Sequence, residues 1–320
     1  EDEILKRHSN SWIAEYFHKL IKKEIKISYK PQRVELLTVT YKGHTVKELL
    51  SKVDERKIVD KLLNDLDISN ISDRKIEELS GGELQRVAIV ATAARDADVY
   101  YFDEPSSFLD ITHRIKAAKL IRTLSQNAAV VVVEHDLATL DYISDEIQIV
   151  YGEPACYGIF SQSKAVRRGI NEYMDGVLPD ENIRFRSYPI RFSERPIERF
   201  VSKEILLEFP ELEKNYEKFK LKTTSGKVHK GEVLAIMGAN GLGKSTFLRL
   251  IAGVEKPDNC ELQKLKISYK PQYLNYDIEG TVEEHLIKIA GSEFTSGWYK
   301  TNILEKLNIN VILKNNISEL

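Results

Sequence analysis

A seven-residue string occurs twice in this chain. Lys26-Ile27-Ser28-Tyr29-Lys30-Pro31-Gln32 returns unchanged as Lys266-Ile267-Ser268-Tyr269-Lys270-Pro271-Gln272. Further echoes follow in the same order. Thr45, Val46, Glu48 and Leu50 are matched by Thr281, Val282, Glu284 and Leu286. Leu63, Leu66 and Ile68 are matched by Leu304, Leu307 and Ile309, and Ile76, Glu78 and Leu79 by Ile317, Glu319 and Leu320. Ordered self-similarity at a nearly constant offset means two tandem copies of one domain. Both copies read as incomplete. The first lacks whatever precedes its Lys-Pro-Gln, and the second stops where Ser80-Gly81-Gly82 would recur. With no initiating methionine, the chain is expected to be a truncated piece or one part of a parent split between two chains.

Apolar periodicity gives each copy its coarse structure. Copy one predicts a strand over 25–29, a helical stretch over 46–66, a helix over 83–95, a strand over 99–102, a helix over 112–126 and a strand over 130–133. Copy two predicts strands over 233–237 and 265–269, with helices over 244–252, 282–290 and 299–307. Apolar strands alternating with helices predict an α/β fold with a largely parallel sheet and an appended helical subdomain. Between Ser161 and Ser202 the alternation lapses. Arg184, Arg186, Arg191, Arg195 and Arg199, with Pro179, Pro189 and Pro196, mark a structured connector.

The length of 320 residues leaves room for about two domains, and 42% hydrophobic residues suffice for packed cores. With 47 basic against 49 acidic residues, net charge alone does not draw the chain to polyanions. Apolar runs such as 87–94 and 128–133 fall far short of the roughly 18 residues of a membrane span, so no membrane partner is expected. The opening Glu1-Asp2-Glu3 has the wrong sign for a secretory signal. Two cysteines, Cys156 and Cys260, argue against a disulfide framework and for a cytoplasmic address.

Three stretches carry chemistry. Gly238-Ala239-Asn240-Gly241-Leu242-Gly243-Lys244-Ser245 fits the phosphate-loop pattern, with an apolar strand before it and a helix, from Thr246, after it. Its glycines let backbone N–H groups curl round phosphate oxygens, Lys244 reaches the phosphates, and Ser245 is placed for Mg²⁺. Val99–Phe102 ends in Asp103 and Glu104, one carboxylate suited to Mg²⁺ and one to the attacking water. Upstream lies Ser80-Gly81-Gly82-Glu83-Leu84-Gln85. Downstream, His135 follows an apolar strand.

Ser80–Gln85, then Asp103–Asp110, then Glu134-His135-Asp136 resemble the signature, Walker B, D-loop and switch histidine of ABC ATPases. The wording of Ala97–Asp110, Glu134–Ile143, Ile149–Pro154 and Gly169–Tyr173 is similar to the RNase L inhibitor family of ribosome-recycling ABC ATPases. Leu178–Arg186 is similar to that family's hinge. The resemblance implies a P-loop NTPase fold in two incomplete cassettes, with ATP and Mg²⁺ as ligands. It implies Glu104, His135 and Gln32 as catalytic groups, and Gln32 and Gln272 as Q-loop glutamines near Mg²⁺ and the γ-phosphate. Ser80, Gly81, Gly82 and Glu83 would close on the γ-phosphate held by the opposite cassette, and Asp103 and Ser245 would serve Mg²⁺. Phe219 is the expected adenine-stacking ring, with Tyr216 the competitor. The family's iron–sulfur domain needs clustered cysteines, and none belongs to these residues.

The expected divisions are a helix–loop–helix insertion over 1–24, the first nucleotide-binding domain over 25–160, a hinge over 161–202 and the second domain over 203–320. The first segment pairs an apolar stripe (Ile13, Phe17, Leu20) with Lys19, Lys22 and Lys23. It reads either as a solvated helical face or, by resemblance, as a grip on the small ribosomal subunit and its RNA. The implied function is ATP-driven splitting of ribosomes, with a release factor or its stalled-ribosome paralogue as a further partner. An ABC-F-type translation ATPase, a transporter subunit and a non-hydrolysing ribosome-binding scaffold are the rivals.

Overall fold

A computed structural model describes residues 12–153, 156–191, 203–217, 219–262, 266–270 and 279–319. The chain forms two compact units, Glu1–Leu248 with Pro257–Cys260, and Arg249–Lys256 with Glu261–Leu320.

The first unit opens with helix α1 (Trp12–Ile21) and strand β1 (Ile27–Lys30). Helices α2 (Leu36–Thr40), α3 (Val46–Ser51), α4 (Val59–Asp65) and α5 (Gly81–Ala93) follow, then β2 (Val99–Asp103), α6 (Ile111–Leu124), β3 (Ala129–Val133) and α7 (Leu137–Ile143). The three strands make a parallel sheet in the order β1-β2-β3, with Lys30 opposite Phe102 and Asp103 opposite Val133. Strand β1 alternates, turning Ser28 and Lys30 inward and Ile27 and Tyr29 outward. Helix α5 is buried nearly all round through Leu84, Val87, Ala88, Ile89 and Val90, as a central core helix must be. It packs in one cluster with Leu50, Leu66, Ile68, Ile71, Ile76 and Phe102. Each of these large side chains contributes on the order of 1.5–3 kcal/mol by burial.

The helical stretch expected over 46–66 is two helices. Asp54 Oδ1 accepts from the Ile58 amide at 2.9 Å and Lys57 takes φ +56°, so the chain turns between α3 and α4. The connector carries β4 (Glu146–Ile147) paired with β7 (Lys164–Ala165), the β5–β6 hairpin (Val150–Glu153, Tyr157–Phe160), α8 (Val166–Asp175), and β8 (Val177–Leu178) paired with β9 (Ile183–Arg184). Fully buried Lys164 sits among Glu172 at 3.3 Å, Asp180 at 2.9 Å and Glu181 at 3.1 Å. The Arg186 guanidinium lies over the rings of Tyr173, Phe185 and Tyr188 and donates to backbone carbonyls of Tyr173, Met174 and Tyr188. Arg191 pairs with Asp175, Arg184 is exposed, and Arg195 and Arg199 lie outside the described residues.

Copy two begins with two antiparallel pairs, β10 (Ile205–Phe209) with β13 (Gly226–His229) and β11 (Glu213–Tyr216) with β12 (Phe219–Lys222). The strand expected over 233–237 is absent, and Val233 and Met237 are 75% and 81% exposed. Residues 266–269 of the strand expected over 265–269 are likewise exposed and without a strand partner among the described residues, and Leu265 lies outside them. A parallel strand exists only through its ladder, and no partner for either stretch is present among the described residues.

The second unit holds helix α10 (Val282–Ala290) and repeats copy one in detail. The Thr45–Glu48 capping box recurs as Thr281–Glu284, the Thr45–Lys75 bridge as Thr281–Asn316, and the left-handed Asp67 as Asn308. The helix expected over 299–307 is a short turn, Gly297–Tyr299, running into a wider π-type turn, Lys300–Glu305. Asn302 Nδ2 donates to the Trp298 carbonyl at 3.1 Å, competing with the backbone for that acceptor.

Candidate active site

Strand β2 delivers Asp103 to its C-terminal end and then turns sharply at Glu104, whose φ is +46°. A residue other than glycine adopts this left-handed conformation only where its surroundings hold it there. The Glu104 amide donates to Val133 O at 2.8 Å. Its carbonyl accepts from Gln85 Nε2 at 2.7 Å and Lys30 Nζ at 3.3 Å, and Lys30 Nζ also donates to Asp103 O at 2.6 Å. Its carboxylate gathers the site: Gln32 Nε2 donates to Oε1 at 2.7 Å, Ser107 Oγ donates to Oε2 at 3.0 Å, and His135 Nε2 lies 3.4 Å from Oε1. Burial pushes the Lys30 ammonium down to about 8 against the opposing pull of Asp103, Glu104, Glu134 and Glu35. His135 is 81% exposed, while Glu104 is 21% exposed, so the histidine reaches into solvent over a largely enclosed carboxylate. Glu134 sets this turn, accepting from the His135 and Asp136 amides at 2.8 and 3.1 Å and from the Ser106 amide at 3.1 Å.

Ser80 caps α5. Its hydroxyl accepts from the Glu83 amide, and the Glu83 carboxylate accepts from the Ser80 amide at 2.9 Å. Gly81 and Gly82 therefore occupy the first helical positions, where backbone N–H groups have no partner inside the helix. A Cβ on Gly82 would lie 3.0 Å from Phe108 O and 3.1 Å from Asn240 Nδ2, so any side chain here would force these neighbours to give by a few tenths of an ångström.

The loop 238–245 comes from copy two and meets copy one at this point. The Asn240 amide donates to Asp110 Oδ2 at 3.0 Å, and Asn240 Nδ2 donates to Phe108 O at 3.0 Å. Asp110 also accepts from the His113 amide at 3.0 Å, and its Oδ1 lies 2.8 Å from His113 Nδ1. Arg86 donates to His113 Nε2 at 2.9 Å, so the imidazole carries its proton on Nδ1, toward Asp110. Burial alone would raise Asp110, but these hydrogen bonds outweigh it and hold the carboxyl down to about 2.

Within the loop, Gly241 and Gly243 take φ +81° and +87°, conformations that side chains rarely adopt. Lys244 Nζ crosses the loop to Gly238 O at 2.7 Å and Ala239 O at 2.6 Å, and Ser245 and Thr246 lie in the first turn of α9 (Lys244–Ile251). A Cβ on Gly243 would come within 2.8 Å of the Phe219 ring. Phe219 thus underlies the loop, with Tyr216 stacked on it at 6.3 Å as the more exposed ring.

The fold therefore assembles two groups of the expected residues, Gln32, Asp103, Glu104 and His135, and Ser80–Glu83 with Gly238–Thr246. Gln272 lies outside the described residues. Each group offers hard oxygens of the kind Mg²⁺ prefers: the Ser245 hydroxyl beside the loop, and the Asp103 carboxylate with the Gln32 amide oxygen, whose nitrogen is spent on Glu104, in the other. Sequence reasoning missed Lys30, Gln85 and Ser107, and the contact of Asn240, already placed in the phosphate loop, with Asp110. Lys30 stood in the repeated string and Gln85, Ser107 and Asp110 inside the motifs, so the signal was their position in a motif.

The chain matches the ABC transporter family over residues 6–107 and 221–320. It is 47% identical, along its whole length, to an uncharacterized ABC transporter ATP-binding protein of Methanocaldococcus jannaschii, covering 53% of it. It is 38% identical to translation initiation factor RLI1 of Chaetomium thermophilum, covering all of this chain and 53% of that protein. Among solved structures it superposes, at a TM-score of 0.85 and 46% identity, on the archaeal ribosome recycling factor aABCE1 in complex with the archaeal ribosomal stalk protein aP1, covering 100% of this chain and 62% of that one. A model of ribosome-bound archaeal Pelota and ABCE1 gives a TM-score of 0.92 at 47% identity, over 100% of this chain and 54% of that one. The chain spans about half the length of the curated relatives it matches. No helix among the described residues is long and apolar enough to cross a membrane.

Proposed function

Because the chain belongs to the ABC transporter family of ATP-binding domains, we propose that it carries parts of two ATP sites of a ribosome-recycling ATPase of the RNase L inhibitor kind. End-to-end similarity to a protein described as a ribosome recycling factor supports this reading. In one site the amides of loop 238–245 and Lys244 hold the phosphates, Ser245 and Gln272 take Mg²⁺, and Ser80–Glu83 of the other copy close on the γ-phosphate. The Tyr216–Phe219 pair lies beside that loop as the adenine platform. In the other site Asp103 and Gln32 take Mg²⁺, Glu104 accepts a proton from water, and His135 contacts the γ-phosphate. Bound Mg²⁺-ATP supplies the phosphorus under attack and a partly neutralised triphosphate. Closing the two copies on ATP is the motion that separates ribosomal subunits, and the protein stays on the small subunit. Its partners are that subunit, ribosomal RNA, and a release factor or its stalled-ribosome paralogue, in the cytoplasm.

One observation carries the reading. The Asn240 amide donates to Asp110 at 3.0 Å, so a phosphate loop of one copy is docked beside the D-loop end of the other. The test is Glu104→Gln in the full-length protein, which keeps shape and removes the base. Loss of one general base costs on the order of 10²–10⁴ in rate. ATP should remain bound and the variant should co-sediment with small subunits in ATP, whereas Lys244→Ala should weaken ATP binding and closure together. Single-turnover hydrolysis by the glutamine variant at the parental rate would remove Glu104 from its role.

A further inference from the structure

Lys30 is 0% exposed, and among the described residues it forms no salt bridge with a carboxylate. Its ammonium is spent on backbone, donating to the carbonyls of Asp103 at 2.6 Å and Glu104 at 3.3 Å. A buried cation is costly to keep, and a methionine of similar length would fill the same space without that cost. The geometry around Glu104 gives the lysine a use. At φ +46° the Glu104 carbonyl leaves the strand ladder and turns inward, where it needs donors. It finds two, Lys30 from the strand that leads into Gln32 and Gln85 from the signature helix. Lys30 stands two residues before Gln32, so a single ammonium ties the Q-loop strand to the turn that carries the carboxylate. The far side of that arrangement is the 2.7 Å bond from Gln32 Nε2 to Glu104 Oε1.

We propose that Lys30, seconded by Gln85, is a positioning residue: it clamps the inward carbonyls of Asp103 and Glu104 and so aims the Glu104 carboxylate at the attacking water. The inference rests on the reading of Glu104 as the catalytic base. Lys30 is too deeply enclosed to reach the nucleotide itself. It acts through the backbone of Glu104, so its loss misplaces the base without loosening the phosphate grip, in which neither Lys30 nor Glu104 takes part.

The test uses the full-length protein, with Lys30→Met, Gln85→Met, Glu104→Gln and the double variant Lys30→Met/Glu104→Gln. Displacing a reacting group by about an ångström costs on the order of 10²-fold. Lys30→Met should lower kcat by about that factor, with KM for ATP unchanged within about twofold. Gln85→Met should lower kcat in the same sense by less. In the Glu104→Gln background Lys30→Met should remove nothing more, because a clamp on an absent base has no work to do. Parental hydrolysis by Glu104→Gln would overturn the reading of the base itself. If Glu104→Gln is inactive while Lys30→Met turns over normally, the reading stands and the clamp is wrong. The clamp is equally wrong if Lys30→Met weakens kcat and ATP affinity together, or lowers hydrolysis further in the double variant. If Lys30→Met fails to fold, normal turnover by Gln85→Met overturns the clamp, and a kcat-only loss sustains it.

Discussion

At Asp110 one carboxylate serves two copies, capping α6 for the first and receiving the Asn240 amide of the second. Its carboxyl is held down to about 2, against 3.8 for the ordinary group. A lowered native pKa means stability that is fully present above the ordinary value and lost as pH falls through the lowered one. Acid titration should therefore show Asp110 stabilising the fold above about pH 4 and releasing it toward pH 2. Asp110→Asn, which keeps an acceptor for the cap, should flatten that part of the curve when unfolding is followed by circular dichroism. Residues proposed to touch a ligand were legible in the sequence, because phosphate loops and paired carboxylates need particular side chains at particular spacings. Residues that act on backbone carbonyls, Lys30 and Gln85, were not. A lysine or glutamine inside a strand or helix pattern carries no mark of what it donates to until the turn at Glu104 exists.

The repeated string is a natural experiment on strands. In copy one Ile27–Lys30 enters a parallel ladder against β2 and buries Ser28 and Lys30. In copy two Lys266–Lys270, identical in sequence, is exposed and has no strand partner among the described residues. Identical residues cannot differ in propensity, so the strand is made by its neighbour, the apolar run ending in Asp103. Periodicity thus located both stretches but could not say that, among the described residues, one is paired and the other is not. Helices fared better because their hydrogen bonds are internal and their caps local. The Thr45–Glu48 and Thr281–Glu284 boxes formed alike in different surroundings. Thr45→Ala and Thr281→Ala should accordingly each cost about 1 kcal/mol, the usual worth of such a cap. Amide hydrogen exchange over α3 and α10 should report nearly equal losses of protection. Unequal losses would mean that tertiary packing, rather than the cap, sets the start of one helix.

The chain as a whole joins basic surface to nucleotide sites. Lys22 and Lys23 lie beside α1, and Lys19 on its face pairs with Glu15 at 2.8 Å. Of the connector's arginines, Arg186 is engaged internally and Arg184 is exposed. Reversing Lys22, Lys23 and Arg184 to glutamate should weaken binding to small ribosomal subunits while leaving ATP affinity intact. The log–log salt dependence should fall by about one for each phosphate no longer neutralised. Sedimentation at several salt concentrations checks this, and an unchanged slope would leave these as solvated surface charges. The closeness of Gly82, Phe108 and Asp110 to Asn240 has a consequence for how such a gene can change. After a duplication, each copy is ordinarily free to drift along its own length. Here the face that greets the second copy's loop is encoded in the first, so a change in the loop must be accommodated by Gly82, Phe108 and Asp110, far away in the same reading frame. The heritable module is the seam and not the repeat. Deleting or exchanging one copy alone should therefore damage a site whose motif the surviving copy still spells out in full.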